Sequence, residues 1–431
     1  MFRRLFRGEA GKVFRGMMTL LLGASLARIV GLLSIPILAR LYSPEDFGVL
    51  ALYTAFIAVA VPVMTLRYVQ AIPLPKTDVM AFNLFSVCFK LIIIFSIALA
   101  VVLAIWAKPI LGWFDMEALL PWWWLIVIGI AGAALYELFS LWATRKKDYK
   151  VIAKTHFTQS LIGNFVKIGL GLVGFKQLGL IVGQFLTQSA GIISFIKAAR
   201  HDFKIYLPKI RRSREWLITK YYQDFVWYRL PSQFLMVFSV QAPVIMMAII
   251  YGKESTGQLS LAIMALSLPV SLIGNAMSKA YYAEIAALGK KRINKIRNIT
   301  ISVQKKLFAV GIPMVILIFF SAEPLFIYIF GEEWVAAGQY AVILSPFVLL
   351  QFISNPMVQV INIVGSQLVY LCINITRALG LGVVYFFSVQ LDLAETVFVS
   401  LLSGYLFVYY LSMIFFIYKL IKRAAEKVKA D

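Results

Sequence analysis

The chain has 431 residues, 61% of them apolar and only 14% charged, with a mean hydropathy of +0.84. Soluble domains run at about 45–50% apolar and about 25% charged, so this is an integral membrane chain; the same figures exclude disorder and a collagen-like fibre. Lys and Arg total 42 against 20 Asp and Glu, a net charge of +22, so the few charges present must be concentrated in a few places.

A membrane-spanning helix needs about 20 mostly apolar residues. In chain order such stretches occupy 17–39, 47–66, 82–107, 119–143, 153–174, 177–199, 225–250, 256–281, 307–330, 335–362, 366–388 and 393–418, which predicts twelve crossings. The apolar runs are continuous, without the alternation of a membrane β-barrel, so the expected class is all-α. The first run follows Arg3, Arg4, Arg7, Lys12 and Arg15 as a signal peptide would. Its length and the lack of a small-residue cleavage pattern favour a retained helix. Between the first two spans, Ser43-Pro44-Glu45-Asp46 reads as an N-cap, a proline at the first helical position and acids that complement the helix dipole.

Basic residues in alternate loops fix the orientation. With the N-terminus in the cytoplasm, 32 of the 42 lie in inside segments, only Arg40, Lys108, Lys176 and Lys253 lie outside, and 6 fall within spans. The expected location is therefore the cell inner (cytoplasmic) membrane, multi-pass, with both termini cytoplasmic. Charge spread over six inside segments marks topology facing anionic lipid, and no nucleic-acid partner is expected.

The basic segment Lys197–Lys220 divides the chain, which predicts an N-terminal lobe at 1–212 and a C-terminal lobe at 213–431. Tyr42, Glu45, Gly48, Leu50 and Leu52 recur as Tyr251, Glu254, Gly257, Leu259 and Leu261. Further along, Asn164 and Lys167 recur as Asn374 and Arg377, and Ala107, Pro109 and Glu117 as Ala322, Pro324 and Glu332. Six helices per half give parallel repeats, with a substrate path expected between lobes.

The six cations within spans are Arg28, Lys90, Lys167, Arg229, Lys279 and Arg377. A charge at mid-bilayer costs at least about 2.5–3.5 kcal/mol. Arg229 and Lys279 lie near cytoplasmic helix ends and can snorkel; Arg28, Lys167 and Arg377 lie near helix centres. One intramembrane acid, Glu137, stands clear of a helix end. Six cations against one acid imply a visiting anion. Arg28, Lys167 and Arg377 are expected to hold it, Asn164 and Asn374 to bind its oxygens from one turn away, and Lys90, Arg229 and Lys279 to guide it from the cytoplasm. Glu137 is a candidate coupling carboxylate, with pairing to a nearby cation as the alternative.

Catalytic chemistry finds no footing. Cys88 and Cys372 both lie in apolar runs, and His156 and His201 are the only histidines, so neither a disulfide framework nor a metal site is expected. There is no phosphate-cradling glycine loop and no paired carboxylates at useful spacing. The expectation is a non-enzyme without a cofactor.

Three segments carry a family resemblance. Ala39-Arg40-Leu41-Tyr42-Ser43-Pro44-Glu45-Asp46-Phe47-Gly48 is similar to the first external corner of polysaccharide-exporting flippases, and Ala71-Ile72-Pro73-Leu74-Pro75-Lys76 to the segment after their second helix. Pro324 through Pro346, with Phe330-Gly331-Glu332-Glu333-Trp334 and Ala337, resembles their ninth-to-tenth helix corner. The chain thus resembles the O-antigen and exopolysaccharide flippases of the multidrug/oligosaccharidyl-lipid/polysaccharide exporter superfamily. That resemblance implies a MATE-like fold of twelve helices in two lobes. It also implies flipping of an undecaprenyl-diphosphate-linked oligosaccharide to the outer leaflet, beside other membrane proteins of polysaccharide assembly. The alternatives are an ion-coupled drug exporter of the same superfamily, which would want buried carboxylates, and a membrane-embedded glycosyltransferase or polymerase, which would want catalytic acids or a large external loop.

Overall fold

A computed structural model describes residues 8–289, 292–364 and 367–430, and every regular element among the described residues is helical. Two compact units form, Met1–Val237 and Phe238–Asp431. The first holds α1 (Gly8–Leu41), α2 (Pro44–Met64), α3 (Asp78–Gly112), α4 (Trp124–Arg145), α5 (Tyr149–Leu172), α6 (Lys176–Ser189), α7 (Ile192–Tyr206) and α8 (Arg212–Tyr221). Next comes α9 (Leu230–Pro269), which starts in the first unit and ends in the second. The second unit continues with α10 (Asn275–Leu288), α11 (Ile293–Phe330), α12 (Val335–Met357), α13 (Gln367–Gln390) and α14 (Glu395–Ala430).

Among the described residues, ten stretches are long and apolar enough to cross a bilayer. One of them, Phe225–Leu268, has 44 residues, about twice the length that one crossing needs. It is two helices in series, because Gly252 breaks the helical geometry with φ +82° and ψ −174°. α5 adds a further crossing of 24 residues, too rich in polar groups to register as purely apolar. Among the described residues this makes twelve candidate crossings, close to the places the apolar runs predict.

Backbone with φ near +82° is open to glycine and strained for any residue with a Cβ, at about 1–3 kcal/mol. Gly252→Ala is therefore expected to lower stability by about that amount, read as a fall in thermal midpoint in detergent. The break is braced by neighbours: the Tyr251 hydroxyl donates to the Leu393 carbonyl at 2.6 Å, and Ser255 and Tyr340 donate to the two carboxylate oxygens of Glu395, each at 2.7 Å.

The corresponding corner of the first unit uses different chemistry. Ser43 and Asp46 form a reciprocal capping box, with Ser43 Oγ accepting from the Asp46 amide at 3.4 Å and Asp46 Oδ2 from the Ser43 amide at 3.2 Å. Pro44 stands at the first helical position, as the sequence predicts. Tyr42 donates to the Lys167 carbonyl at 2.6 Å. Tyr42 and Tyr251, paired by the repeat, thus perform the same task, each tying the end of a crossing to a later helix hairpin of its own unit.

α3 shows how the bilayer shapes a helix. Phe85, Cys88 and Ile92 are buried against the unit, while Phe89, Ile93 and Ile97 on the other side are exposed. A helix apolar all round with one face open has hydrocarbon as its solvent. α8 is amphipathic in another sense. Glu215 and Ile218 turn inward, whereas Trp216, Leu217 and Tyr221 are exposed among Arg212, Arg214 and Lys220, the composition of a helix lying in the membrane interface.

Candidate functional site

Lys167 sits about four-fifths of the way along α5 with 6% of its surface exposed. Its Nζ donates to Gln184 Oε1 on α6 at 2.7 Å. No carboxylate lies within ion-pair distance among the described residues, so a buried ammonium with three donors meets one neutral acceptor. The close approach of α5 and α6 depends on two facing glycines. A Cβ at Gly183 would collide with the Lys167 side chain and stand 2.8 Å from the Gly163 carbonyl oxygen. Lys167 is therefore packed into the α5/α6 contact. One turn earlier, Asn164 is buried and spends its Nδ2 on the Ser160 carbonyl at 2.8 Å. Ser160 in turn donates to the Ala27 carbonyl of α1 at 2.8 Å.

The second unit offers a less satisfied arrangement. Asn374 on α13 is 6% exposed, and its buried Nδ2 has no hydrogen-bond partner. Arg377, one turn on, is half-buried with Nε equally unpartnered. Its guanidinium lies over the rings of Tyr409 and Tyr410 on α14, at 5.9 and 5.8 Å from their centroids. Two unanswered donors from one helix face and a cation backed by aromatic rings form a donor-rich site. Anionic or hydroxyl oxygens are the complement of such a site.

The remaining predicted residues fall in separate places. Arg28 is exposed on α1, close enough to His156 for their charges to interact. Lys90, expected to guide the anion from the cytoplasm, is bound to Glu215 of α8 through both carboxylate oxygens, at 2.6 and 2.7 Å, so its charge is answered within the protein. Arg229, exposed on a π-helical turn at Phe225–Arg229, packs over Phe225 at 5.4 Å. The Lys279 side chain lies outside the described residues. Glu137 accepts from Arg67 at 3.1 Å and from Gln70 at 2.8 Å, while its Oε2 is buried without a donor. The pairing of Glu137 with a nearby cation, foreseen as the alternative, is present.

A second charged cluster escapes sequence reasoning. Arg145, 9% exposed in its side chain, donates Nε to Asp78 Oδ1 at 2.8 Å and Nη1 to the carbonyls of Ile72, Pro73 and Pro75 at 3.3, 3.2 and 2.8 Å. Lys146 bridges Asp78 at 2.8 Å and Asp202 at 3.2 Å. Burial works against its charge, but the hydrogen bonds and charges of the two aspartates outweigh this and hold the ammonium above its usual range. Tyr206 and Trp142 donate to Asp78 and Asp202, at 3.1 Å each. The cluster locks the segment between α2 and α3 to α4 and α7. Only the acid–base pairing of distant loop residues could have signalled it. Among the described residues, no three His, Cys, Asp or Glu side chains gather as metal ligands would.

Solved structures share this architecture. A multidrug resistance MATE family transporter of the MOP superfamily, in an inward-facing conformation, superposes with a TM-score of 0.70 at 15% identity, over 94% of this chain and 96% of that one. Lipid II flippase MurJ, in an inward closed conformation, gives 0.71 at 12% identity, over 96% and 91%. The Vibrio cholerae MATE transporter VcmN, in its bent form, gives 0.54 at 14% identity, over 97% of each chain. The class is thereby defined as a multi-pass, all-α membrane protein of MATE-like fold. No curated protein matches the chain. Residues 37–339 match the polysaccharide biosynthesis protein family, and the chain belongs to that family.

Proposed function

We propose that the protein carries an undecaprenyl-diphosphate-linked oligosaccharide, an O-antigen or exopolysaccharide repeat unit, from the cytoplasmic to the outer leaflet of the inner membrane. It acts as a carrier and not as an enzyme, by alternating access along a cation-lined route, with both termini in the cytoplasm. The observation that carries this reading is the pair Asn374 and Arg377 on α13, one buried and one half-buried, with the buried Nδ2 and Nε unanswered. Unmatched donors in hydrocarbon are costly, and a diphosphate or acidic sugar that visits would satisfy them. Lys167, buried against one neutral amide, supplies a second positive charge. Membership of a polysaccharide biosynthesis family supports a sugar-bearing substrate, and the likeness in fold to MurJ, a lipid II flippase, supports the lipid carrier.

The test is a leaflet assay. The purified chain is placed in liposomes holding a fluorescent polyprenyl-diphosphate oligosaccharide in both leaflets, and an impermeant reductant is added outside. Without a flippase only the outer-leaflet half of the label is quenched; with the protein, quenching is expected to run towards completion. Quenching that stops at the protein-free level would sink the proposal, and extrusion of a cationic drug by the same vesicles would favour the exporter reading.

A further inference from the structure

The first unit carries an apolar groove of about 450 Å³ along α2, α3 and α4, and every side chain that lines it is apolar. Phe56 and Val63 of α2, Phe95 and Val102 of α3, and Ile126 and Ile130 of α4 form its walls, with Phe234 at one side. On α3 the lining runs from Phe95 to Leu111. At 1.5 Å per residue that is about 24 Å, most of a hydrocarbon core of about 30 Å.

Charge gathers near one end of this groove. Val63 and Met64 are the last lining residues of α2, and Arg67 follows three residues later. Phe234 of α9 comes five residues after Arg229. The two arginines lie close enough for their charges to repel. Glu137 is held by Arg67 at 3.1 Å, and one carboxylate against two guanidiniums leaves a surplus positive charge. Arg229 is exposed, with its guanidinium over the Phe225 ring.

We propose that this groove and the Arg67/Arg229 pair together form a docking site for a lipid with a phosphate or diphosphate head on a long hydrocarbon tail. The tail lies along α2, α3 and α4, and the head meets the two guanidiniums, whose planar forks match phosphate oxygens. The inference rests on the reading of the substrate as lipid-linked and adds a place where that lipid is held on the cytoplasmic side. Charge complementarity selects the occupant. A hydrocarbon slot alone would accept any acyl chain, but a zwitterionic lipid leaves the surplus cation unanswered.

Native mass spectrometry of the full-length chain in detergent tests this with three probes: polyprenyl diphosphate, phosphatidylglycerol and phosphatidylethanolamine. Polyprenyl diphosphate adducts are expected to exceed those of both phospholipids. Arg229→Gln removes a charge-assisted contact from an exposed side chain and is expected to lower them about tenfold. Ala98→Trp fills the groove from the exposed side of α3 and is expected to lower them comparably, and Ala60→Leu does so from α2. A thermal midpoint in detergent unchanged from the wild-type chain shows that the fold of each variant is intact. Phosphatidylglycerol bound as well as polyprenyl diphosphate, or adducts indifferent to the groove-filling variants, would overturn the proposal. Leaflet transport measured on the same variants separates the two readings. Normal flipping with normal adducts in Arg229→Gln and Ala98→Trp removes this site and leaves the flippase standing. Specific adducts on a wild-type chain that does not flip lipid would do the reverse.

Discussion

Replacing both Lys167 and Arg377 by alanine is expected to abolish flipping of lipid-linked oligosaccharide while the chain still reaches the membrane in normal amount. Arg377 presents an unpartnered Nε beside the unpartnered Nδ2 of Asn374, so its removal breaks no internal hydrogen bond of those groups. Its loss to the fold is limited to packing on Tyr409 and Tyr410. A charge-assisted hydrogen bond to a visiting oxyanion is worth about 1.5–3 kcal/mol, so Arg377→Ala alone is expected to lower transport at least about tenfold. Lys167→Ala leaves Gln184 Oε1 without its donor but also removes a buried ammonium that has no carboxylate, and the two effects on stability oppose each other. Arg377→Lys keeps the charge and loses the planar fork, and Asn374→Leu keeps the volume and loses the donor, so the pair separates charge from hydrogen bonding. Transport is to be read by the leaflet assay, and abundance by quantitative blot of the membrane fraction. Full activity in the double variant would remove these residues from the substrate route.

The crossings are legible because burial in hydrocarbon writes itself into composition: about 20 apolar residues are needed wherever the chain passes through, whatever the neighbours do. Even the break at Gly252 can be placed, since Tyr251-Gly252-Lys253-Glu254 interrupts the apolar run. α5 reads as a span despite His156, Asn164 and Lys167, because alternation of the basic loops requires a crossing there. Charge partners are not legible. Lys90 looks like a free intramembrane cation because Glu215 lies 125 positions away in a segment that reads as a solvated loop; folding brings α8 against α3 and closes the pair. Asn164 and Asn374, equivalent in the repeat, differ for the same reason. Ser160 occupies the amide of one, and that of the other has no partner. A repeat preserves position in the fold, and neighbours decide whether a polar group is spent or available.

Arg145→Ala is expected to produce the largest loss of stability of any single basic-residue substitution in the first unit. As one of 32 inside charges, Arg145 would be interchangeable with its neighbours Lys146 and Lys147. Its geometry says otherwise. Pro73 and Pro75 have no amide hydrogen to build a turn of their own, and the Ile72, Pro73 and Pro75 carbonyls all converge on one guanidinium that also grips Asp78. Truncation leaves three carbonyls short of a donor and half of a carboxylate unanswered. Asp78 is 36% exposed and keeps Lys146, so the cost comes mainly from the carbonyls left without a donor, about 2–4 kcal/mol, which in a unit of this size corresponds to a fall in thermal midpoint of roughly 10 °C. Scanning fluorimetry of the purified chain measures it. Arg145→Lys restores the charge at a single point and is expected to recover only part of the loss, because one ammonium cannot span a carboxylate and three carbonyls. The decisive variant moves the charge without the fork, combining Arg145→Ala with Thr144→Arg. It keeps the inside count at 32 and leaves the clamp empty, so a topology role predicts rescue and a clamp predicts none.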